Sequence, residues 1–384
     1  MIRFLATALL LAVSSGCSWM PGMLEGEDNA APPTALTPLE NQVSFKRRWS
    51  RDIGVGFDEY NLNLRPAMDG SRVFAADREG RVVALESLTG DELWSVKTGA
   101  AISAGPGVGE GLVLLGTSNG QVIALDADDG SERWRAEVSS EVLSIPQTDF
   151  EKVIVQTADD NVTALAASDG QSLWIYDRSA PVLTLRGTST PAVQQGAVVA
   201  GFSSGKLVVL QAEKGLIGWE TSVAIPQGRS ELERIVDIDG SPVIIGSTIY
   251  VATYQGRVAT VDLRSGDLGW KRDISSYTGV GVDYSQVYVT DEDSHVWALS
   301  RDTGAAAWKQ DKLANRKLTA PVPFSNYVAV GDFEGYVHLL SRYDGGLSAR
   351  VKVDGKGIAA QPLVVDDVLY LYGNSGKLVA YTIE

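Results

Sequence analysis

The stretch GRVVALESLTGDELW, residues 80–94, contains a turn glycine, an alternating apolar run, a second turn glycine and a terminal tryptophan. The same arrangement returns as GQVIALDADDGSERW at 120–134 and as DNVTALAASDGQSLW at 160–174. A pattern that recurs at a fixed period indicates a repeat architecture, in which each copy is one supersecondary unit.

The first glycine position of this pattern can be followed along the chain in steps of 38 to 51 residues. Its occupants are Gly80, Gly120, Asp160, Gly205, Gly256, Ser294, Gly335 and Gly376. Fourteen residues later, six copies carry a tryptophan and the seventh carries Ala349. Fourteen residues earlier, seven of the eight copies carry a proline. Agreement at two fixed offsets identifies eight copies of one unit.

Each copy has the features of four short antiparallel strands. A strand such as RVFAAD, residues 72–77, leads into the first glycine position, which closes a tight hairpin and favours a positive φ. The run RVVALE, residues 81–86, is apolar enough to be packed on both faces. The second glycine makes another hairpin, and a short fourth strand ends in the tryptophan.

Eight such copies predict an all-β fold, an eight-bladed β-propeller with four antiparallel strands per blade. The eighth copy, GKLVAYTIE, lacks a fourth strand, whereas VSFKRRW at 43–49 ends in a tryptophan and belongs to no copy. We therefore predict that the N-terminal strand closes the last blade, which removes an open sheet edge. Residues 42–384 would then form one ring without a second domain.

Seven of the nine tryptophans occupy the repeat position. A ligand site would not need to be identical in every blade, so we expect these side chains to be structural and to wedge between neighbouring blades. They are Trp49, Trp94, Trp134, Trp174, Trp219, Trp270 and Trp308.

The N-terminus has the pattern of a secretory signal, with Arg3, an apolar stretch and small residues before Cys17. We predict a signal peptide at 1–16, a lipidated Cys17, and a flexible tether over 17–41 that is rich in proline, glycine and acidic residues. Small residues next to a cysteine resemble the bacterial lipobox. With Ser18 following, this resemblance implies a lipid anchor at the periplasmic face of the cell outer membrane.

Composition argues against several classes of function. The formal charge of −15 disfavours a nucleic-acid binder. One cysteine and two histidines leave the ring without a disulfide, a thiolate metal site or a histidine cluster. We therefore predict no catalytic residues, no metal and no cofactor.

The pattern ALDADDGSERW at 124–134 resembles the tryptophan-docking repeat of quinoprotein dehydrogenases, which are eight-bladed propellers that hold pyrroloquinoline quinone (PQQ). That resemblance covers the repeat frame, and a frame is not a site. A propeller enzyme that depends on PQQ or another small ligand remains an alternative. A propeller that binds glycans or peptidoglycan is a second alternative.

The copies differ most in the connectors from each tryptophan to the next proline. Trp174 to Pro191 spans 17 residues and Trp219 to Pro242 spans 23, whereas Trp94 to Pro106 spans 12; Trp49 to Pro66, three blades away, also spans 17. The two long connectors flank the fourth blade and emerge on the same face. They carry leucines beside an arginine, with acidic residues nearby, and such leucines and arginine can anchor a protein interface. Alternatively, the leucines pack back on the ring and the charges solvate a loop.

The lipobox, the tether, the eight copies, LTLRG at 183–187 and DIDGSPVI at 237–244 together resemble the BamB family. These are propeller lipoproteins of the machinery (the BAM complex) that inserts β-barrel proteins into the outer membrane. The resemblance implies a non-enzymatic scaffold that docks the periplasmic domains of BamA, the central barrel protein. The docking residues would be Leu183, Leu185, Arg186, Asp237 and Asp239. A further hypothesis is that the protein contacts unfolded outer-membrane protein precursors.

Overall fold

The computed structural model describes residues 31–57, 62–181, 183–185 and 187–384. Residues 33–384 form one compact unit, which contains the ring and the sites discussed below. The predicted signal peptide, Cys17 and Arg186 lie outside the described residues. Within the described ranges, no helix is long and apolar enough to cross a membrane.

The described residues form strands arranged as eight four-stranded blades, with β1 (Phe45–Asp52) and β2 (Asn63–Leu64) preceding the first blade. The first blade comprises β3 (Ala67–Asp69), β4 (Arg72–Ala76), β5 (Arg81–Glu86) and β6 (Glu92–Lys97), and the second comprises β7 (Ile102–Gly109), β8 (Leu112–Thr117), β9 (Gln121–Asp126) and β10 (Glu132–Glu137). The third comprises β11 (Gln147–Asp149), β12 (Lys152–Gln156), β13 (Val162–Ala166) and β14 (Ser172–Tyr176), and the fourth comprises β15 (Ala192–Gln194), β16 (Ala197–Gly201), β17 (Lys206–Gln211) and β18 (Ile217–Ser222).

Blades five to seven comprise β19 (Val243–Ile245), β20 (Thr248–Ala252), β21 (Val258–Asp262) and β22 (Leu268–Arg272); β23 (Val280–Val282), β24 (Gln286–Thr290), β25 (Val296–Ser300) and β26 (Ala306–Gln310); and β27 (Val322–Phe324), β28 (Tyr327–Gly331), β29 (Tyr336–Ser341) and β30 (Leu347–Lys352). The eighth blade contains β31 (Leu363–Val365), β32 (Val368–Tyr372) and β33 (Lys377–Ile383). Its sheet has the order β1-β33-β32-β31, so the N-terminal strand supplies the fourth strand.

The closure pairs β1 with β33 in antiparallel register, from Phe45 opposite Ile383 to Asp52 opposite Lys377. This confirms the predicted fold, an eight-bladed propeller closed by its N-terminal strand. One addition to the predicted pattern is β2, which runs parallel to β7 and gives the second blade a fifth strand.

The core lies between the blades, because the middle strands are buried on both faces. In β5, for example, Val82 to Leu85 are all buried. One apolar cluster joins side chains of the eighth, first and second blades, including Tyr372, Val83 and Ile123. Burial of continuous apolar strands thus holds each blade to its neighbours.

The repeat tryptophans bridge each blade to the next. The Trp94 indole Nε1 donates a hydrogen bond of 3.0 Å to the Ala127 carbonyl of the second blade. Its ring packs on Gly130, where an added Cβ would lie 2.7 Å from the ring. The other six tryptophans donate in the same way to the carbonyl oxygens of Ser87, Ala167, Ala212, Leu263, Arg301 and Arg342. In the first seven blades, the second glycine of the repeat lies in the hairpin between the third and fourth strands. A tryptophan of the preceding blade packs on this glycine.

The seam between the seventh and eighth blades is built differently. Ala349 is fully buried there, and Phe45 and Tyr381 make an edge-to-face contact with ring centroids 5.5 Å apart. The eighth blade has no hairpin between its third and fourth strands, because those strands come from opposite ends of the chain. A tryptophan at this position would have no glycine turn to dock on.

The last residues of the predicted tether run along the seventh blade. The Asn41 side-chain oxygen accepts a 2.9 Å hydrogen bond from the Arg350 backbone N–H, and the Gln42 N–H donates to the Ser348 carbonyl at 2.8 Å. Closer to the N-terminus, the Thr34 N–H donates to the Ala314 carbonyl at 3.0 Å. Residues 34–42 are thus held against the ring.

One turn departs from the predicted backbone pattern. Seven of the eight occupants of the first glycine position have a positive φ, including Asp160 and Ser294. In the fifth blade the left-handed residue is instead Gln255, with φ of 44°, and Gly256 is not in that region. The positive φ has moved by one residue in that hairpin.

The ring has two distinct faces. Since neighbouring strands within a blade are antiparallel, successive connections leave the blade at alternate ends. The connectors between blades, such as residues 177–191 and 223–242, therefore share one face, which we call the connector face. The opposite face carries the hairpins with the docking glycines, and we call it the turn face.

Candidate partner-binding site

The two long connectors that flank the fourth blade meet beside it. The Asp237 carboxylate accepts a hydrogen bond from the backbone N–H of Leu185. The Ser189 hydroxyl donates to the Gly240 carbonyl at 3.3 Å. Gly187 lies so close to the Asp239 carboxylate that an added Cβ would collide with it. The two connectors therefore form one continuous site on the connector face.

The predicted docking residues differ in their accessibility. Leu183 is 46% exposed, whereas Leu185 is half-buried. Asp237 is buried, and Asp239 is half-buried beside the central cavity. Thus Leu183 presents an apolar side chain to solvent, while Asp237 lies inside the connector fold.

Asp237 is fixed by the fifth blade. Its carbonyl accepts a 2.8 Å hydrogen bond from the Tyr254 N–H, and the two residues form an isolated antiparallel bridge. Next to it, Ile238 is buried against Gly201 of β16, where an added Cβ would collide with the isoleucine. The connector is therefore clamped between the fourth and fifth blades at this point.

Burial dominates the electrostatics of the site. Loss of hydration raises the pKa of Asp237 well above the ordinary carboxyl value, and the charges of Asp239 and Asp160 raise it further. Burial also raises the pKa of Asp239, with the Asp160 charge as a second cause. Asp160 comes from the second-to-third-strand hairpin of the third blade, where the Ser203 hydroxyl donates to its carboxylate. Two elements, the connector before Pro242 and this hairpin, thus bring three carboxyl groups close enough to influence one another.

Two exposed apolar residues of the site were not singled out from the sequence. Ile225 is 63% exposed and Leu232 is 68% exposed, and both lie in the connector that precedes Pro242. A turn around Leu232 is held by Glu233, whose carboxylate accepts hydrogen bonds from the N–H groups of Arg229 and Ser230 at 2.7 and 3.2 Å. Ile225 and Leu232 could have been recognised in the sequence as apolar residues within the longest connector.

The two histidines are engaged elsewhere in the fold. His295 Nδ1 lies 2.9 Å from an Asp291 carboxylate oxygen, and His338 Nε2 lies 2.9 Å from an Asp332 carboxylate oxygen. Arg316 donates to the same Asp332 oxygen at 2.7 Å. Over the part of the chain that the structure describes, no group of three His, Cys, Asp or Glu residues is arranged to hold a metal ion.

Comparison with known proteins gives a consistent family. The sequence profile described as "Outer membrane protein assembly factor BamB" matches residues 78–310. The protein of that name from Pseudomonas aeruginosa is 55% identical over 378 residues, which cover 98% of this chain and 97% of the relative. The one from Yersinia pestis is 36% identical and covers 97% and 96% of the two chains.

Solved structures agree with this result. The crystal structure of BamB from Moraxella catarrhalis superposes with a TM-score of 0.81 at 27% identity, covering 88% of this chain and 100% of that one. A quinohemoprotein alcohol dehydrogenase from Comamonas testosteroni superposes with a TM-score of 0.69 at 13% identity, covering 88% of this chain and 76% of the enzyme. At that identity the likeness concerns the fold alone.

Proposed function

The chain belongs to the BamB family of outer-membrane protein assembly factors, and on that basis we propose that it is a non-enzymatic scaffold that docks the periplasmic domains of a BamA-like protein. In this proposal a lipid on Cys17 anchors the ring to the periplasmic face of the outer membrane. The scaffold assists the insertion of β-barrel proteins by holding its partner in place.

The observation that carries the proposal is the junction of the two long connectors that flank the fourth blade. Among the described residues of these connectors, three large apolar side chains are exposed: Leu183, Ile225 and Leu232. Exposed apolar side chains surrounded by polar residues match the apolar core and polar rim of protein interfaces. Arg186, in the same connector as Leu183, adds a cation suited to a carboxylate on the partner.

The acidic residues have a different role in this proposal. Asp237 is buried and accepts the hydrogen bond from Leu185, so it positions the connector that carries Leu183. Asp239 contacts Gly187 at the next step along the same connector. Both aspartates would support docking by holding one connector against the other.

The test is a calorimetric titration of the purified full chain with the soluble periplasmic domains of a BamA-like protein. Leu183→Ala is expected to weaken binding by about 2 kcal/mol, or roughly thirtyfold in Kd, because a central apolar anchor is truncated. Arg186→Ala should also weaken binding while leaving Tm nearly unchanged.

A matched control separates an anchor from any exposed leucine. Leu93 of β6 is 51% exposed, close to the value for Leu183, but lies in the outer strand of the first blade. Leu93→Ala should bind like the wild type. Equal losses in both variants, or none in Leu183→Ala, would contradict docking at the connectors.

A further inference from the structure

The ring encloses a central cavity of about 920 Å³. Its walls come from the first strands of the blades and from the connectors, so it opens toward the connector face. A volume of this order is typical of sites that hold small molecules. Much of the wall is apolar, including Leu62, Leu143 and Val193.

The charged residues that line this cavity are mainly cations, although the whole protein has a negative net charge. The chain has a formal charge of −15, yet the described residues that line the cavity include two cations, Arg65 and Lys317, and one carboxyl group, Asp239. Arg65 follows β2, and Lys317 lies in the connector between the sixth and seventh blades. Asp239 lies in the connector between the fourth and fifth blades, across the ring.

Arg65 is held in place by neutral groups. Its backbone N–H donates to the Gly105 carbonyl at 3.2 Å, and its guanidinium Nη1 donates to the Gln361 side-chain oxygen at 3.0 Å. A guanidinium group carries five N–H donors, so most of this capacity is available to a ligand or to water. Burial lowers the pKa of the Arg65 guanidinium, as expected for a cation whose described hydrogen-bond partner is uncharged.

The two cations belong to one sector of the ring. Lys317, Gln361 and Arg65 come from three successive connectors, which join the sixth to the seventh, the seventh to the eighth, and the eighth to the first blade. Lys317 is exposed, with a φ of 48° that belongs to a turn. Arginine and lysine at the edge of an apolar cavity match a ligand with an anionic group and a small apolar body.

We propose that the central cavity binds a small organic anion, a carboxylate or a phosphate, through Arg65 with Lys317 at its mouth. Arg65 lies across the ring from the junction of the two long connectors, although Asp239 of that junction also lines the cavity, and small-anion binding goes beyond the proposed scaffold function. Free organic acids, phosphate esters and the carboxyl end of a peptide share this chemistry.

The test is ligand-observed NMR on the purified full chain at low salt, with hexanoate, hexyl phosphate and N-acetyl-trialanine as probes. Hexanamide and the amide of the peptide are the uncharged controls. We expect saturable binding of at least one anionic probe, with a Kd of about 1 mM or tighter. The probe that binds best identifies the source of the anion.

Variants decide whether the cavity is responsible. Arg65→Gln should weaken binding about tenfold, and Lys317→Gln should weaken it about threefold without affecting the fold. Arg81→Gln, which changes an arginine outside the cavity, should leave binding unchanged.

The proposal would be overturned if no anionic probe showed saturable binding at probe concentrations up to about ten times the expected Kd. So would equal binding of hexanoate and hexanamide, or a Kd in Lys317→Gln and Arg65→Gln that is unchanged from the wild type. If Arg65→Gln does not fold, the exposed Lys317→Gln variant decides alone. Docking of the BamA-like domains is expected to be unchanged in both variants, which separates this test from that of the scaffold function.

Discussion

The turn face and the connector face of the ring follow opposite rules. On the turn face one contact repeats at seven seams, with a tryptophan donating to a carbonyl of the next blade and packing on its glycine. On the connector face the tryptophan-to-proline distance varies from 12 to 23 residues. The repeated face stabilises the ring, and the variable face is free to acquire a binding surface.

Removing one repeated contact is the most direct test of whether the turn face stabilises the ring. Trp134→Ala should cost about 3–5 kcal/mol of unfolding free energy, because it leaves a cavity between the second and third blades. Denaturant unfolding measures the loss. Trp297 is the control, since its Nε1 donates to Asp291 within its own blade at 2.9 Å. An equal loss in Trp297→Ala would assign the effect to side-chain size and not to docking.

A smaller change tests the glycine half of the contact. An added Cβ at Gly170, with φ of 74°, would lie 2.6 Å from the Trp134 ring, whereas Gly196, with φ of 80°, has nothing within 4 Å. Gly196→Ala should therefore cost about 1 kcal/mol from backbone strain alone. Gly170→Ala should cost about 1–3 kcal/mol more, because the tryptophan must move. Equal losses by chemical denaturation would show that the ring accommodates the methyl group.

The smallest expected effect concerns the connector face and is a pH dependence. The pKa of Asp237 is raised in the folded state, so this group stabilises the protein fully below the ordinary carboxyl pKa. That stabilisation is lost as the pH rises through the folded-state pKa. Asp237→Asn removes the titration, so the fall in Tm between about pH 5 and about pH 8 should shrink. Asp129→Asn on the turn face should leave the fall unchanged, because hydrogen bonds from Ser131 lower the pKa of Asp129 and its titration therefore lies below this pH range. An unchanged fall in Asp237→Asn would contradict the assignment.

The spacing of glycine, proline and tryptophan was enough to predict the number of blades and the origin of the closing strand. These features are periodic, and each copy reports on the same local geometry. The left-handed conformation of Gln255, in place of Gly256, was not predictable in this way, because either residue can close the hairpin. The missing tryptophan at Ala349 became interpretable once the eighth blade was known to lack the receiving hairpin.

The candidate site was less accessible to sequence reasoning. Connector length indicated where it lies, and the structure shows that Leu185 and Asp237 are in contact. The burial of Asp237 depends on Tyr254 and on neighbouring blades, which no local pattern encodes. The cationic sector of the cavity likewise combines residues from connectors at opposite ends of the chain.

The pairing of Phe45 with Ile383 has a consequence for the order of folding. The four strands of each of the first seven blades come from one continuous stretch of chain, so these blades can assemble while the chain is still incomplete. The last blade cannot, because its outer strand is among the first to be synthesised and its neighbour among the last. Contacts of such high sequence separation carry the largest entropic cost and slow the final step. The ring should therefore pass through a state in which seven blades are formed and the edges of β1 and β33 are open, and this is the state in which its aggregation has to be prevented.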